Sequence, residues 1–137
     1  MAISDRIAVF NNGLIEQIGT PQEVYRAPKT EFAAKFVGDI NEIDGQKLNV
    51  QNQELRLSKR VYVRPEKMHL RASRDEVPQG VVSFAARLVN REFLGAATKF
   101  VLDADGLKLN SLTFYHGDLQ IGQNVWVWFY TEDMTVL

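Results

Sequence analysis

Apolar and polar positions change rhythm near residue 40. Before it, an apolar run at 7–10 is followed by Asn11-Asn12-Gly13 and a second β-prone run at 14–18. Asn-Gly between two such runs predicts a hairpin, because both residues tolerate the positive φ of a tight turn. Thr20-Pro21-Gln22-Glu23 then marks a helix start. Thr20 can cap, Pro21 suits the first helical position, and Glu23 can close a capping box. Pro28 keeps this helix short, since the residue before proline avoids helical geometry. Thr30 caps a second short helix, whose apolar face is expected at Phe32, Phe36 and Val37 and whose stop is Gly38.

From residue 39 the pattern is β. Stretches 45–50 and 54–57 read as a hairpin across Asn52-Gln53, 60–64 as a strand, and 71–79 as a polar loop closed by Pro78 and Gly80. Residues 81–91 alternate, with Val82, Phe84, Ala86 and Leu88 on one face and Ser83, Arg87 and Arg91 on the other. Gly95 breaks or bulges the chain. Stretches 97–102 and 107–112 flank a second hairpin turn at Asp103-Ala104-Asp105-Gly106. His116-Gly117-Asp118 and Gly122 read as turns. Residues 125–130 are apolar on both faces, as in a strand covered by a core on one side and by a partner or second sheet on the other. Short strands at this spacing predict a mainly β fold, a small OB-like barrel preceded by a β-hairpin and two short helices.

Composition then narrows the chemistry. The 137 residues include no cysteine and carry a formal net charge of -1. Disulfide frameworks, zinc-thiolate sites and thiol catalysis are thereby excluded. A charge near zero argues against gripping nucleic acid by bulk electrostatics. Every apolar run falls short of the ~20 residues that span a bilayer, and the first residues lack the basic-then-apolar pattern of a secretory signal. The sequence holds no P-loop, no G-x-G-x-x-G, no H-E-x-x-H, no G-x-S-x-G and no EF-hand loop. His69 and His116 have no companions at ligand spacing. No catalytic, cofactor or metal residue is expected, and the chain does not read as a self-contained enzyme.

Charge is unevenly spread. Between 56 and 74, Arg56, Lys59, Arg60, Arg64, Lys67, Arg71 and Arg74 face Glu66 alone. One reading is a solvated face neutralised by Asp75 and Glu76; the other is an anion or partner surface. Oxyanions favour Arg forks, so Arg64, Lys67, Arg71, Arg87 and Arg91 are the candidate anion or regulatory residues. Arg64-Pro65-Glu66 reads as a corner, because Pro65 removes a ladder donor. An OB-like module for single-stranded nucleic acid is the alternative class. It needs basic residues interleaved with aromatics, and beyond Gly95 the basic residues are Lys99 and Lys108.

Residues 4–21, Ser-Asp-Arg-Ile-Ala-Val-Phe-Asn-Asn-Gly-Leu-Ile-Glu-Gln-Ile-Gly-Thr-Pro, resemble the segment that follows the switch histidine in importer-type ABC ATPases. The likeness continues through Glu23-Val24-Tyr25, Pro28, Phe32-Ala33-Ala34-Lys35-Phe36-Val37-Gly38 and Asn41. Tyr62-Val63-Arg64-Pro65-Glu66 resembles the V-R-P-E hallmark of the appended transport-associated OB (TOBE) domain. The junction Gly38-Asp39-Ile40-Asn41 and the ending Tyr115-His116-Gly117-Asp118 with Gly122-Gln123 look most like sulfate/thiosulfate importer subunits; polyamine, iron(III), molybdate and sugar importers share the broader pattern.

The resemblance implies that residues 1–38 are the tail of a nucleotide-binding domain and 39–137 a TOBE domain. Walker A, signature, Walker B and switch-histidine motifs would precede Met1, so ATP and magnesium would belong to a parent subunit and this chain would need no cofactor. The implied role is a regulatory and dimerisation module, cytoplasmic and peripheral on the inner face of the bacterial membrane. Its implied partners are a second ATPase subunit and, through the parent, the membrane permease subunits, with an oxyanion as candidate ligand and no nucleic acid. Candidate interface residues are Asn41, Val125, Trp126, Trp128 and Tyr130. The N-terminal hairpin is expected to cover its apolar surface by docking on the barrel or on a second chain.

Overall fold

The computed structural model describes residues 5–44, 60–114 and 118–137. The chain forms two compact units, divided in sequence between Ile40 and Asn41. The hairpin expected at 45–57 and the turn residues His116-Gly117 lie outside the described residues.

In the first unit, β1 (Ile7–Asn11) and β2 (Leu14–Gly19) are joined by Asn12 at φ 52° and Gly13 at φ 80°. Two successive positive φ values are those of the type I′ turn that the Asn-Gly signal predicts. The Thr20 hydroxyl accepts from the Glu23 amide at 3.1 Å and caps α1 (Pro21–Arg26). Thr30 caps α2 (Glu31–Phe36) in the same way, through the Ala33 amide at 3.1 Å.

The buried side of α2 differs from the expected one. Ala33 and Ala34 are buried, whereas Phe32 and Phe36 are exposed and stack on each other at 6.2 Å. Of the three expected residues, Val37 alone packs against the core, which is built from Val9, Val24 and Ala33. Alanine lets so short a helix approach the hairpin closely, and an i, i+4 aromatic pair satisfies itself on the other side. Gln17 ties the pieces together. Buried on β2, it donates to the Ala27 carbonyl at 3.1 Å and accepts from the Lys29 amide at 2.9 Å. Those are the backbone groups on either side of Pro28, where helical bonding stops.

The second unit is mainly β. Its strands are β3 (Asn41–Ile43), β4 (Val61–Val63), β5 (His69–Arg71), β6 (Val82–Phe93), β7 (Thr98–Ala104), β8 (Leu107–Thr113), β9 (Asn124–Phe129) and β10 (Met134–Val136). They build a five-stranded sheet ordered β5-β9-β6-β7-β8 and a three-stranded sheet ordered β10-β4-β3, with every pairing antiparallel. Leu88, Leu102, Leu109, Val127, Phe129 and Ile43 are among its fully buried side chains. The β7–β8 turn has Asp105 at φ 51° and Gly106 at φ 87°, and the Asp103 carboxylate accepts from the Gly106 amide at 2.7 Å.

Two local expectations change. The segment read as a loop from residue 71 has its first residue, Arg71, in β5, an edge strand paired with β9, and contains a 3-10 turn at Arg74–Glu76 capped by Ser73. The alternation of β6 holds through Leu88 and then shifts. Leu88 pairs with Leu102 but Asn90 pairs with Val101, so Val89 is an extra residue. Such a bulge reverses the facing of the residues beyond it. Arg91 therefore pairs with buried Phe100 and does not share the face of Arg87.

Polar bonds curl the five-stranded sheet into a half-barrel. The Asn41 amide donates to the Asn110 carbonyl at 2.8 Å and accepts from the Asn110 amide at 2.7 Å. Ser111 donates its hydroxyl to the Met68 carbonyl. Asn110 and Ser111 lie on β8, one edge of that sheet, and Met68 immediately precedes β5, the other edge. The Asn41 side chain thus gives the β8 edge the donor and the acceptor that one residue of a neighbouring strand would supply.

Candidate functional site

The five candidate cations do not form one site. Arg64 follows β4 and is buried, at 6% exposure, at the start of the 3-10 turn Pro65–Lys67. Lys67 is exposed in that turn. Arg71 on β5 donates from Nη1 to the Leu70 carbonyl at 2.7 Å and lies over the Trp128 indole, 5.6 Å from its centroid. Arg87 pairs in register with Asp103 on one side and Asn124 on the other, so strand β9 separates it from Arg71. Arg91, turned by the bulge, donates to the Leu119 carbonyl at 3.1 Å. Lys67 and Arg71 are the two whose charges both act on His69, which lies between them in the sequence.

The interface candidates also separate. Asn41 is 3% exposed and spends its amide on Asn110, so it is a closing clasp of this unit rather than an outward contact. Val125 is a core residue. The far face of β9 is covered by this chain itself. Trp128 is 4% exposed beneath His69, whose ring centroid is 4.4 Å away, and Tyr130 stands perpendicular to it at 5.3 Å. Arg74 lies over Trp126 at 5.4 Å. Trp126, partly buried, and Tyr130, 42% exposed, keep surface toward solvent.

Sequence reasoning missed the pairing of Arg71, Arg74 and His69 with the two tryptophans. These partners come from another segment, across the β5–β9 ladder. They do not make a base-stacking platform, because the guanidinium groups lie on the indole faces that a base would need. Burial, reinforced by the Arg71 charge, lowers the His69 pKa below the ordinary histidine value, with Asp133 opposing and Lys67 adding to the shift. Nearby, Leu70, Arg71, Ala72, Glu76, Asp118 and Leu119 line a recess of about 230 Å³. With two carboxylates against one guanidinium it does not suit an anion. No group of three or more metal-ligating side chains occurs among the described residues.

Comparison with known families matches residues 61–137 to the TOBE domain. The chain belongs to the TOBE-domain family. The match starts at β4 and runs through β10, so this TOBE domain includes the aromatic face, the five candidate cations and the β8 side of the clasp.

Its relatives are ATP-binding subunits of ABC importers. The spermidine/putrescine import ATP-binding protein PotA of Nostoc sp. is 34% identical over 137 aligned residues, covering 82% of this chain and 35% of the relative. PotA of Protochlamydia amoebophila is 30% identical, covering all of this chain and 44% of the relative. The sulfate/thiosulfate import ATP-binding protein CysA of Caulobacter vibrioides is 54% identical over 46 residues, covering 34% of this chain and 14% of the relative. The chain therefore spans about a third of the length of the first curated relatives it matches. No helix among the described residues is long and apolar enough to cross a membrane.

Proposed function

We propose that this chain is the regulatory and pairing module of the ATP-binding subunit of a bacterial ABC importer, and that the importer carries a polyamine. The observation that carries the reading is the TOBE match together with relatives whose names are those of importer ATP-binding subunits. The polyamine assignment rests on coverage. The two PotA relatives span most or all of the chain, whereas the sulfate/thiosulfate relative spans a third. The scatter of Arg64, Arg71, Arg87 and Arg91 also gives little support to an oxyanion site, which needs converging donors.

In this reading ATP and magnesium are handled by the parent subunit in the cytoplasm, against the permease subunits at the inner membrane face. The β body described here holds two such subunits in register while their catalytic faces open and close. Deleting the parent gene in its own organism tests the assignment. Uptake of labelled putrescine is expected to fall to background while sulfate uptake is retained, with recovery on complementation. Loss of sulfate uptake alone would restore the oxyanion assignment, and full retention of both would remove the importer reading for these solutes.

A further inference from the structure

Strand β5 is three residues long, lies at a sheet edge and pairs with β9. It is anchored inward by Leu70, buried at 5% exposure, and outward by the ring of His69. That ring tilts over the Trp128 indole at 4.4 Å and meets Tyr130 edge-on at 6.3 Å. The same indole already carries the Arg71 guanidinium at 5.6 Å. The charged groups around the imidazole are Arg71 on its own strand, Lys67 in the turn before it, and Asp133 in the 3-10 turn Thr131–Asp133 that comes after β9. The Trp128 indole N–H is buried and finds no acceptor among the described residues, which leaves a desolvated donor unrewarded.

We propose that His69 is an acid-operated release for the β5 edge: a proton on its imidazole sets a third cation beside Lys67 and Arg71 over Trp128, unseats the ring and loosens the β5–β9 ladder. A cationic imidazole gains attraction to the indole face. Arg71 already lies over this indole, 5.6 Å from its centroid, so repulsion between the two cations and desolvation of a part-buried charge oppose that gain. Asp133 offsets one of the two cations and not both. The release acts on the edge of this unit, whether or not the β9 face pairs with another subunit.

Linkage gives the sign. The pKa of His69 is depressed, so the loosened chain binds the proton more readily than the native one. Stability from the seated ring is fully present above the ordinary histidine value of 6.5 and is lost as pH falls below it, through the lowered native value.

The test uses the whole 137-residue chain between about pH 7.5 and about pH 5.5, a range that brackets ordinary histidine titration. The His69 imidazole is titrated by NMR, the amide exchange of Leu70 is followed after correction for intrinsic rate, and Trp128 emission is read in a Trp126→Phe background. His69 is expected to titrate below 6.5, and Leu70 to lose protection over the same pH range in which the imidazole takes up its proton. His69→Phe keeps a flat ring on Trp128 without the proton and is expected to abolish the pH dependence. An equal loss of protection in His69→Phe would overturn the inference, as would titration of His69 at or above 6.5. Should His69→Phe not fold, the titration and the Trp128 emission of the unsubstituted ring decide: a shared midpoint supports the release, and different midpoints overturn it.

Discussion

Buried amides do in each unit what a longer secondary-structure element would otherwise do. Gln17 joins β2 to the backbone on both sides of Pro28, and Asn41 joins β3 to the backbone of β8. Each donates to one backbone carbonyl and accepts from one backbone N–H, so truncation breaks two side-chain-to-backbone bonds at once. Gln17→Ala is expected to destabilise the first unit by about 1–3 kcal/mol, read as increased amide exchange at Val9 and Val24. Gln17→Glu keeps the acceptor and loses the donor, and is expected to fall between. Neither amide was legible in the sequence, because Gln17 to Lys29 and Asn41 to Asn110 are spacings that no motif encodes. The caps at Thr20 and Thr30 were legible, since a cap is chemistry within three residues.

Strands and turns divide along the same line. Both hairpin turns with positive φ at two successive residues fall at an Asn-Gly or Asp-Gly pair, where the sequence announces the conformation. Gly106→Val forces a β-branched side chain into φ +87°, where a Cβ would meet no atom within 4 Å, so backbone strain and not crowding sets the cost. A loss of about 1–2 kcal/mol is expected, measured as a lower urea midpoint for the tryptophan signal of the second unit. Three features escaped the pattern. The bulge at Val89 is a single inserted residue inside an otherwise perfect alternation, and it moved Arg91 off the face assigned to it. Strand β5 is too short to show a period. In α2 the spacing of Phe32 and Phe36 described a real helix face, but packing went to the smaller Ala33 and Ala34.

For the molecule as a whole, fold class and family could be read from the chain, and the placing of its cations relative to one another could not. Turn chemistry and alternation are local and suffice for an OB-like β body, and V-R-P-E marks the TOBE domain. Grouping of cations depends on strand order, and the order β5-β9-β6-β7-β8 sets Arg71 and Arg87 apart while bringing His69 and Arg71 onto Trp128. What the β9 face still offers a partner is Trp126 and Tyr130, of the residue types that dominate association energies. If subunits pair there, a Trp126→Ser, Tyr130→Ser chain should need about tenfold more protein for half-association, equivalent to about 1.4 kcal/mol. Sedimentation over a concentration series checks this, and an unshifted curve would place any pairing elsewhere.

The clasp between Asn41 and Asn110 joins residues 69 apart in the chain, and the bond from Ser111 to Met68 spans 43. The β6–β7 and β7–β8 hairpins close over a few residues and can form on their own clock. The clasp must wait for β3 to reach β8, and the Ser111–Met68 bond for both edges of the curled sheet to arrive, because closing a long loop costs chain entropy before any contact rewards it. Barrel closure is then a late event in folding and, by reversal, an early one in unfolding. The two sheet edges would part first, giving this unit an opened intermediate whose hairpins are still intact.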